Sequence, residues 1–397
     1  MPTVTQVPAL DDILRQAASS GKVPGVVALA ATRDGLIYHG AFGRRALPAE
    51  GQAAGAAMTP DTVFWIASMT KAITSTAAMQ QVERGKLELD APLGKLLPEL
   101  AAPQILEGFD AAGKPKLRPA REPITLRRLL THTAGFGYDI WNADLVRYQE
   151  QKGIPGIISC QAAALTTPLI FEPGAKWEYG INIDWVGKAV EKVSGQTLET
   201  YFHENLFGPL GMKDTGFKLS ADCRARLAGM HARNTDGTLA PMPFEVPQEP
   251  EFHMGGGGLY GTAADYLAFA RLFLNEGRHE GVPVLKPETV RLMSHNQMGD
   301  IDVCLLKTAI PGFSNDGEFY PGMIKKWGLG FMINTQAVPG GRSAGSLTWA
   351  GLGNTYFWID QEKGVTGMIF TQIVPFADAA VLDLYDRFEK GVYQAAA

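Results

Sequence analysis

Cysteine is scarce in this chain of 397 residues, which contains three. Cys160, Cys223 and Cys304 are far apart and odd in number. They form neither a disulfide framework nor the paired spacing of a zinc site, and such usage is typical of a reducing compartment. We interpret the three as small apolar fillers, since a catalytic thiol would need a specific activating environment.

The sequence also lacks the segments that direct a chain to or across a membrane. Residues 1–18 contain no basic segment followed by an apolar core, as a signal peptide would. No apolar run reaches the roughly 20 residues that a transmembrane helix needs. We therefore expect a cytoplasmic protein with no membrane partner.

Basic clusters and metal-binding patterns are missing as well. The formal net charge is −5, and the most basic stretch, residues 114–128, is interrupted by prolines and a glutamate. This argues against a nucleic-acid partner. The seven histidines include no pair four residues apart and no H-E-x-x-H pattern. We expect neither a metal nor another cofactor.

Sheet-forming patterns lie near both ends of the chain. Residues 26–31 and 36–42 are rich in β-forming types and are joined around Asp34-Gly35, which predicts a hairpin. Further β-rich runs occur between residues 329 and 371. A hydrophobic content of 46% with 19% charged residues is typical of a globular protein.

Helical patterns fill the region between these runs. The order predicts an α+β fold with an antiparallel sheet flanked by helices. In this prediction residues 1–100 and 250–397 form a discontinuous core domain, and residues 101–249 form an inserted, mainly helical domain. We expect the active site in the cleft between the two.

The strongest chemical signal is Ser68-Met69-Thr70-Lys71, at the start of a helix predicted over residues 70–84. Residues three apart in a helical turn lie on one face, so the side chains of Ser68 and Lys71 can meet. A serine hydroxyl needs a nearby base to become a nucleophile, and a lysine serves only if its pKa falls. Four letters alone are also compatible with an ordinary helix start, in which the lysine is solvated.

Several further segments follow this one in a recognisable order. They are Leu129-Leu130-Thr131-His132-Thr133-Ala134-Gly135-Phe136, Glu172-Pro173-Gly174-Ala175-Lys176-Trp177-Glu178-Tyr179, Asp184-Trp185-Val186-Gly187, the glycine block 255–258, and Trp349-Ala350-Gly351-Leu352. In this order and spacing they resemble the serine β-lactamase and penicillin-binding-protein superfamily. They are most similar to family VIII carboxylesterases, the esterase branch related to class C β-lactamases. The resemblance extends from about residue 26 to the end of the chain and implies a β-lactamase-like fold.

The resemblance also implies roles for individual residues. Ser68 would be acylated, Lys71 would share its proton, and Tyr179 would assist as general base and return a proton to the leaving group. The backbone N–H groups of Ser68 and Leu352 would form the oxyanion hole.

Two departures from the family pattern bear on the substrate. Trp349, Ala350 and Gly351 stand where lactamases and transpeptidases usually carry Lys-Thr-Gly, and we expect them to bind substrate. An indole offers no positive charge for a substrate carboxylate. Asn182 lies one position too far from Tyr179 to supply the usual Tyr-x-Asn motif. Both departures favour an uncharged, partly apolar acyl substrate.

We therefore predict a serine carboxylesterase that hydrolyses small, uncharged esters with short acyl chains, with weak β-lactam hydrolysis as a side activity. The partner expected is a small-molecule ester. An acyltransferase and an amide or lactam hydrolase are alternatives that use the same site. A catalytically silent binding module is the distant alternative, and Ser68, Lys71 and Tyr179 together argue against it. Three aromatic-bearing loops are expected to wall the pocket: residues 136–141, 244–254 and 313–320.

Two other residues lie in patterns that are typical of catalytic groups. Ser343 lies in a G-x-S-x-G pattern, but a glycine-rich turn and a strand surround it, and no histidine follows. His132 suggests a triad with Ser68, yet it lies at a helix end in a segment that is structural in the resembling families. We interpret both as structural.

Overall fold

A computed structural model describes residues 7–48, 51, 53 and 55–396. The prediction that the chain begins without a targeting segment falls partly on residues 1–6, which lie outside the described residues. No helix within the described part is both long enough and apolar enough to cross a bilayer.

The fold is organised around one seven-stranded sheet in which every neighbouring pair is antiparallel. Its order is β11-β12-β13-β14-β15-β1-β2, so the two ends of the chain share it. The described strands are β1 (Gly25–Thr32), β2 (Leu36–Gly43), β3 (Val63–Trp65), β4 (Gln104–Phe109), β5 (Pro115–Pro119), β6 (Met230–Arg233), β7 (Leu239–Met242), β8 (Tyr260–Thr262), β9 (Arg278–His279), β10 (Val282–Pro283), β11 (Lys325–Trp327), β12 (Met332–Asn334), β13 (Leu347–Gly351), β14 (Thr355–Asp360), β15 (Val365–Phe370) and β16 (Ile373–Val374).

Helices cover both faces of this sheet. Phe357 and Trp358 are neighbours in β14 and therefore point to opposite faces. Tyr266 packs on Phe357, and Tyr385 packs on Trp358. The described helices are α1 (Pro8–Ser19), α2 (Thr70–Glu83), α3 (Leu126–Leu130), α4 (Ala143–Lys152), α5 (Asn182–Ser194), α6 (Leu198–Phe202), α7 (Gly208–Leu210), α8 (Ala221–Ala225), α9 (Ala263–Leu274), α10 (Pro287–Met293) and α11 (Ala379–Ala396). Tyr266 belongs to α9 and Tyr385 to α11, which confirms the predicted α+β arrangement.

The segment 101–249 contains helices α3 to α8 together with two hairpins, β4-β5 and β6-β7. The sequence analysis did not predict the hairpins. β16, from the far end of the chain, pairs with β6, so this segment is tied to the C-terminal part. The division into two domains at residues 100 and 249 stays a prediction.

The predicted bounds of helices and strands agree best with the observed ones where the local sequence signals are strong. The hairpin around Asp34-Gly35 is confirmed as β1 and β2, and the helix predicted over 70–84 is α2. The β-rich run that begins at residue 329 forms a strand only from Met332. Gly330 has a φ of 104°, outside strand geometry, and a Cβ there would lie 2.6 Å from the Ser75 Cβ of α2. This glycine lets the chain pass close to α2 before β12 begins.

Candidate active site

Ser68 lies in a short 3-10 turn, Ala67–Met69, that runs directly into α2. Ala67 adopts a φ of 44°, in the left-handed region that non-glycine residues rarely occupy. The N–H of Ile66 donates to the Leu259 carbonyl at 3.0 Å. A Cβ at Gly351 would lie 2.4 Å from the Ile66 carbonyl oxygen, so β13 packs directly against this turn. The packing holds the strained backbone that presents the serine.

Lys71 is fully buried and has three hydrogen-bond partners. Its Nζ lies 3.2 Å from Ser68 Oγ, 3.0 Å from the Tyr138 hydroxyl and 2.6 Å from the Gly256 carbonyl oxygen. A neutral amine has two N–H groups and one lone pair, and a carbonyl oxygen only accepts. When Lys71 is neutral, one of the two hydroxyls must therefore donate to Nζ. The geometry suits proton transfer from Ser68 to Lys71.

The surroundings of Lys71 favour this neutral form. Burial lowers the pKa of Lys71 from its ordinary value, and the negative charge of Asp184 opposes that change. Burial dominates, so the lysine reaches its neutral form at lower pH than an exposed lysine does. A neutral Lys71 is the form that can accept a proton.

Tyr179 is also buried and lies beside Lys71. Its ring centroid is 4.6 Å from Lys71 Nζ, and its hydroxyl accepts a hydrogen bond from Trp349 Nε1 at 2.8 Å. Burial raises the pKa of Tyr179, and hydrogen bonding with Ser68 and Trp349 partly offsets the rise. The phenol therefore stays protonated at neutral pH.

Trp349 has a contact that the sequence analysis did not predict. We expected its indole as an apolar wall for substrate, and it does line a pocket beside Ser68. Its N–H, however, points to the Tyr179 hydroxyl, and its ring packs on Trp327 at 4.6 Å and on Phe319 at 5.4 Å. The indole thus donates to the oxygen that would act as base.

Replacing Trp349 by phenylalanine is expected to lower kcat/KM for p-nitrophenyl esters about 10- to 100-fold, because a hydrogen bond to a developing charge contributes about 1.5–3 kcal/mol. W327F is the matched control, since Trp327 Nε1 donates to the Leu130 carbonyl in the same aromatic cluster. Steady-state kinetics and thermal melting on both variants separate catalysis from packing. An unchanged kcat/KM in W349F would show that the indole N–H does not act on Tyr179.

Two apolar pockets meet at Ser68, and Leu352 borders both. One pocket is larger than the other. The larger is lined by Trp65, Ala67, Tyr138, Ile140, Trp141, Ile157, Ile158, Met254, Gly256 and Gly257 besides Ser68 and Leu352. The smaller is lined by Trp141, Tyr179, Leu306, Trp349, Ala350, Gly351 and Phe376 besides the same two residues. We call them the first pocket and the second pocket.

All the predicted site residues therefore lie around one point. The loop 136–141 contributes three residues to the first pocket, the loop 244–254 contributes Met254, and Phe319 of the third loop packs behind Trp349. The oxyanion-hole role of the Ser68 and Leu352 N–H groups stays a prediction.

Sequence reasoning missed three groups of the site: the Tyr138 hydroxyl, the Gly256 carbonyl and the Asp184 carboxylate. Asp184 is fully buried, and its Oδ1 accepts from the Gly256 N–H at 2.8 Å. One available signal was an aspartate in the first turn of an apolar helix, since a buried carboxylate requires a partner. No local spacing identifies that partner.

His132 and Asn182 support the site from behind. The two side chains contact each other, with 3.1 Å between His132 Nδ1 and Asn182 Nδ2, and the Asn182 amide also donates to the Phe136 carbonyl. The His132 ring packs 4.8 Å from the Tyr179 ring. Burial and the charge of Lys71 lower the pKa of His132 well below its ordinary value. A neutral, packed imidazole agrees with the structural interpretation.

Ser343 lies in the connection between β12 and β13, where it is buried. Its N–H donates to Asp360 Oδ2 at 2.8 Å. It lines neither of the two pockets. A strand follows it in place of the helix that a nucleophile elbow requires.

Several known proteins are similar to this chain in sequence and fold over nearly their whole length. Residues 10–391 match the protein family described as Beta-lactamase. Monacolin J acid methylbutanoyltransferase from Aspergillus terreus is 34% identical, covering 97% of this chain and 95% of that protein. Lovastatin esterase from Penicillium rubens is 32% identical, covering 97% and 98%. A mutant form of simvastatin synthase (LOVD) from Aspergillus terreus superposes with a TM-score of 0.84 at 34% identity, covering 98% of this chain and 94% of that one. The chain therefore belongs to the beta-lactamase family and is an enzyme that acts on esters.

Proposed function

We propose that the protein is an acyl-transfer enzyme, which takes an acyl group from an ester onto Ser68 and passes it to an alcohol. The sequence analysis placed ester hydrolysis first and acyl transfer second. The methylbutanoyltransferase and synthase relatives now favour the second. The single observation that carries the proposal is that two apolar pockets meet at Ser68, one bordered by Tyr138 and the other by Tyr179.

The reaction begins when Ser68 Oγ attacks the ester carbonyl and its proton passes to neutral Lys71. The N–H groups of Ser68 and Leu352 stabilise the oxyanion. The carbon–oxygen bond to the leaving alcohol then breaks, and that alcohol takes a proton from Tyr179, which Lys71 reprotonates. Acyl transfer reverses these steps with an acceptor alcohol. Water in place of the acceptor gives hydrolysis.

We assign the two pockets from the position of Tyr179. A general base must lie within hydrogen-bond reach of the hydroxyl that it deprotonates. Tyr179 lines the second pocket, so we place the leaving or acceptor alcohol there, against Leu306 and Phe376. The first pocket then holds the acyl chain, against Ile157 and Ile158. Both sets of walls are apolar and suit uncharged groups.

Ester hydrolysis is the second candidate, and the similarity to lovastatin esterase supports it. The narrower assignment to family VIII carboxylesterases belongs with this candidate. Trp349 bears on both candidates, because no lysine stands in the third motif to pair with the carboxylate of a lactam or peptide. We therefore expect lactam turnover to be weaker than ester turnover.

The decisive experiment offers vinyl butyrate, whose leaving group is small, to the enzyme with and without an apolar alcohol such as benzyl alcohol. We expect butyryl transfer to the alcohol to compete with hydrolysis, with both products measured by chromatography. L306W, which fills the second pocket, is expected to lower the transfer-to-hydrolysis ratio about tenfold, equal to about 1.4 kcal/mol. I157W, in the first pocket, is the matched variant: it slows acylation by butyrate more than by acetate and leaves the ratio unchanged.

Hydrolysis without any transfer, across several alcohols, would overturn the transferase proposal in favour of the esterase. A lowered ratio in I157W with no effect in L306W would reverse the assignment of the two pockets.

A further inference from the structure

One peptide group connects two buried charges behind the nucleophile. The N–H of Gly256 donates to Asp184 Oδ1 at 2.8 Å, and the carbonyl of the same residue accepts from Lys71 Nζ at 2.6 Å. Both ionisable side chains have no exposed surface. The lysine is therefore held from one side by the Ser68 and Tyr138 hydroxyls and from the other by a carbonyl that Asp184 orients.

The carboxylate of Asp184 has little else to stabilise it. Among the described residues its Oδ2 has no hydrogen-bond partner, and Oδ1 accepts from Gly256. A buried carboxylate is costly without a compensating charge. The nearby cation whose charge acts on it is Lys71.

Gly256 itself is required by this arrangement. A Cβ built on Gly256 would lie 2.6 Å from Asp184 Oδ2 and 3.0 Å from Oδ1. Only a residue without a side chain lets the backbone approach the carboxylate this closely. The glycine block 255–258, left without a role in the sequence analysis, thus acquires one.

We propose that Asp184 is a positioning residue for Lys71, holding the Gly256 carbonyl against Nζ and tuning the proton affinity of the amine with its charge. This inference rests on the proposed function, in which Lys71 accepts the proton of Ser68. Asp184 acts through the peptide group and lines neither of the two pockets.

The other ionisable groups around the pair set its electrostatic balance. The charge of Asp184 raises the pKa values of Tyr138, Tyr179 and Cys160. The charge of Lys71 lowers the pKa of His132. Asp139 acts on Tyr138. Burial raises the pKa values of the two tyrosines and the cysteine and lowers that of His132, which keeps all four neutral near pH 7. Burial lowers the pKa of Lys71 and raises that of Asp184, so these two are the groups of the cluster whose charge states change nearest to neutral pH.

The effect on pH dependence has a definite sign. Burial lowers the pKa of Lys71 and the charge of Asp184 raises it. Acylation requires neutral Lys71, so the acid limb of the rate profile reports this pKa. Removing the charge of Asp184 lowers the pKa of Lys71 further, so the acid limb moves to lower pH.

The test measures the pH dependence of Ser68 acylation by a p-nitrophenyl ester, from the burst of p-nitrophenol, in wild type and D184N. Asparagine keeps an oxygen for the Gly256 N–H and removes the charge. We expect the acid limb of D184N to move down by about one pH unit or more, and D184E to restore it. D265N is the matched control, because Asp265 is a buried carboxylate on α9 that accepts from the Asp214 N–H, away from the site. We expect D265N to keep the wild-type limb.

A folded D184N with the wild-type acid limb would overturn the inference about Asp184. The proposed acyl-enzyme on Ser68 would not be affected by that result. Absence of any Ser68 acylation in wild type would instead overturn the proposed function. Should D184N fail to fold, G256A provides the second test, since it keeps both charges and displaces the carboxylate. Because Gly256 also lines the first pocket, the measurement in G256A is the position of the acid limb and not the rate. We expect the acid limb to move to lower pH, and a wild-type position in folded G256A would overturn the inference.

Discussion

Replacing Ser68 by alanine is expected to lower kcat/KM for p-nitrophenyl esters by about 10⁴-fold or more, and to abolish the burst of p-nitrophenol. Removing the nucleophile of an acyl-enzyme mechanism costs effects of this size, with residual rate from binding and oxyanion stabilisation. No other aliphatic hydroxyl and no thiol lines the two described pockets, so nothing nearby can replace Ser68. Steady-state and burst kinetics measure the loss. Mass spectrometry after reaction with a fluorophosphonate should place the adduct on the Ser68 peptide.

The chain supplies its own control for this experiment. Ser343 lies in the misleading G-x-S-x-G pattern, and its Oγ has no hydrogen-bond partner among the described residues. S343A should therefore retain wild-type activity and melt at nearly the same temperature. Wild-type activity in S68A, or an adduct on Ser343, would contradict the assignment of the nucleophile.

The closeness of Ser68 and Lys71 was predictable because it depends on local geometry. Residues three apart at the start of a helix lie on one face, and the two side chains come within 3.2 Å of each other. The hairpin at Asp34-Gly35 was predictable for the same reason, since turn chemistry and alternation act within a few residues. Tyr179 is different: the family resemblance identified it, and spacing alone would not have distinguished it from ten other tyrosines.

Contacts between distant elements escaped the sequence analysis. Asp184 and Gly256 are 72 positions apart, and Lys71 and Gly256 are 185 apart, so no motif contains either pair. Trp349 was treated as an apolar wall because its bulk dominates, yet the direction of its N–H depends on where Tyr179 lies, 170 positions away. Long-range packing decides such side-chain roles, and local pattern does not record it.

The missed hairpin β4-β5 has a simpler physical cause. Lys116, Leu117 and Pro119 are exposed, so the apolar alternation that marks a half-buried strand is weak there. A turn over residues 110–113 joins the two strands. Ile105 and Leu106 are buried, but both belong to β4. The apolar alternation is therefore too weak across the two strands to predict a hairpin.

Replacing Lys71 by methionine is expected to slow Ser68 acylation by about 10³-fold or more, because the serine loses its base. The acid limb should also disappear from the rate profile, since the group that it reports is gone. K71R separates base from charge: a guanidinium stays protonated, so it balances Asp184 but accepts no proton from Ser68. We expect K71R to be nearly as slow as K71M, although its charge pair is restored. Burst kinetics across pH, with melting curves for folding, provide the measurement.

Chemical rescue sharpens the same prediction. K71A leaves room for a small primary amine, and adding ethylamine should accelerate acylation of Ser68 with a dependence on the neutral amine, hence more at higher pH. The Tyr138 hydroxyl also contacts Lys71 Nζ in the wild type. We expect that it does not restore acylation in K71A without the added amine. An active K71R would mean that Lys71 acts only through its positive charge. The proton of Ser68 would then have to pass to Tyr179, whose pKa burial raises, and the order of the two groups in the mechanism would be reversed.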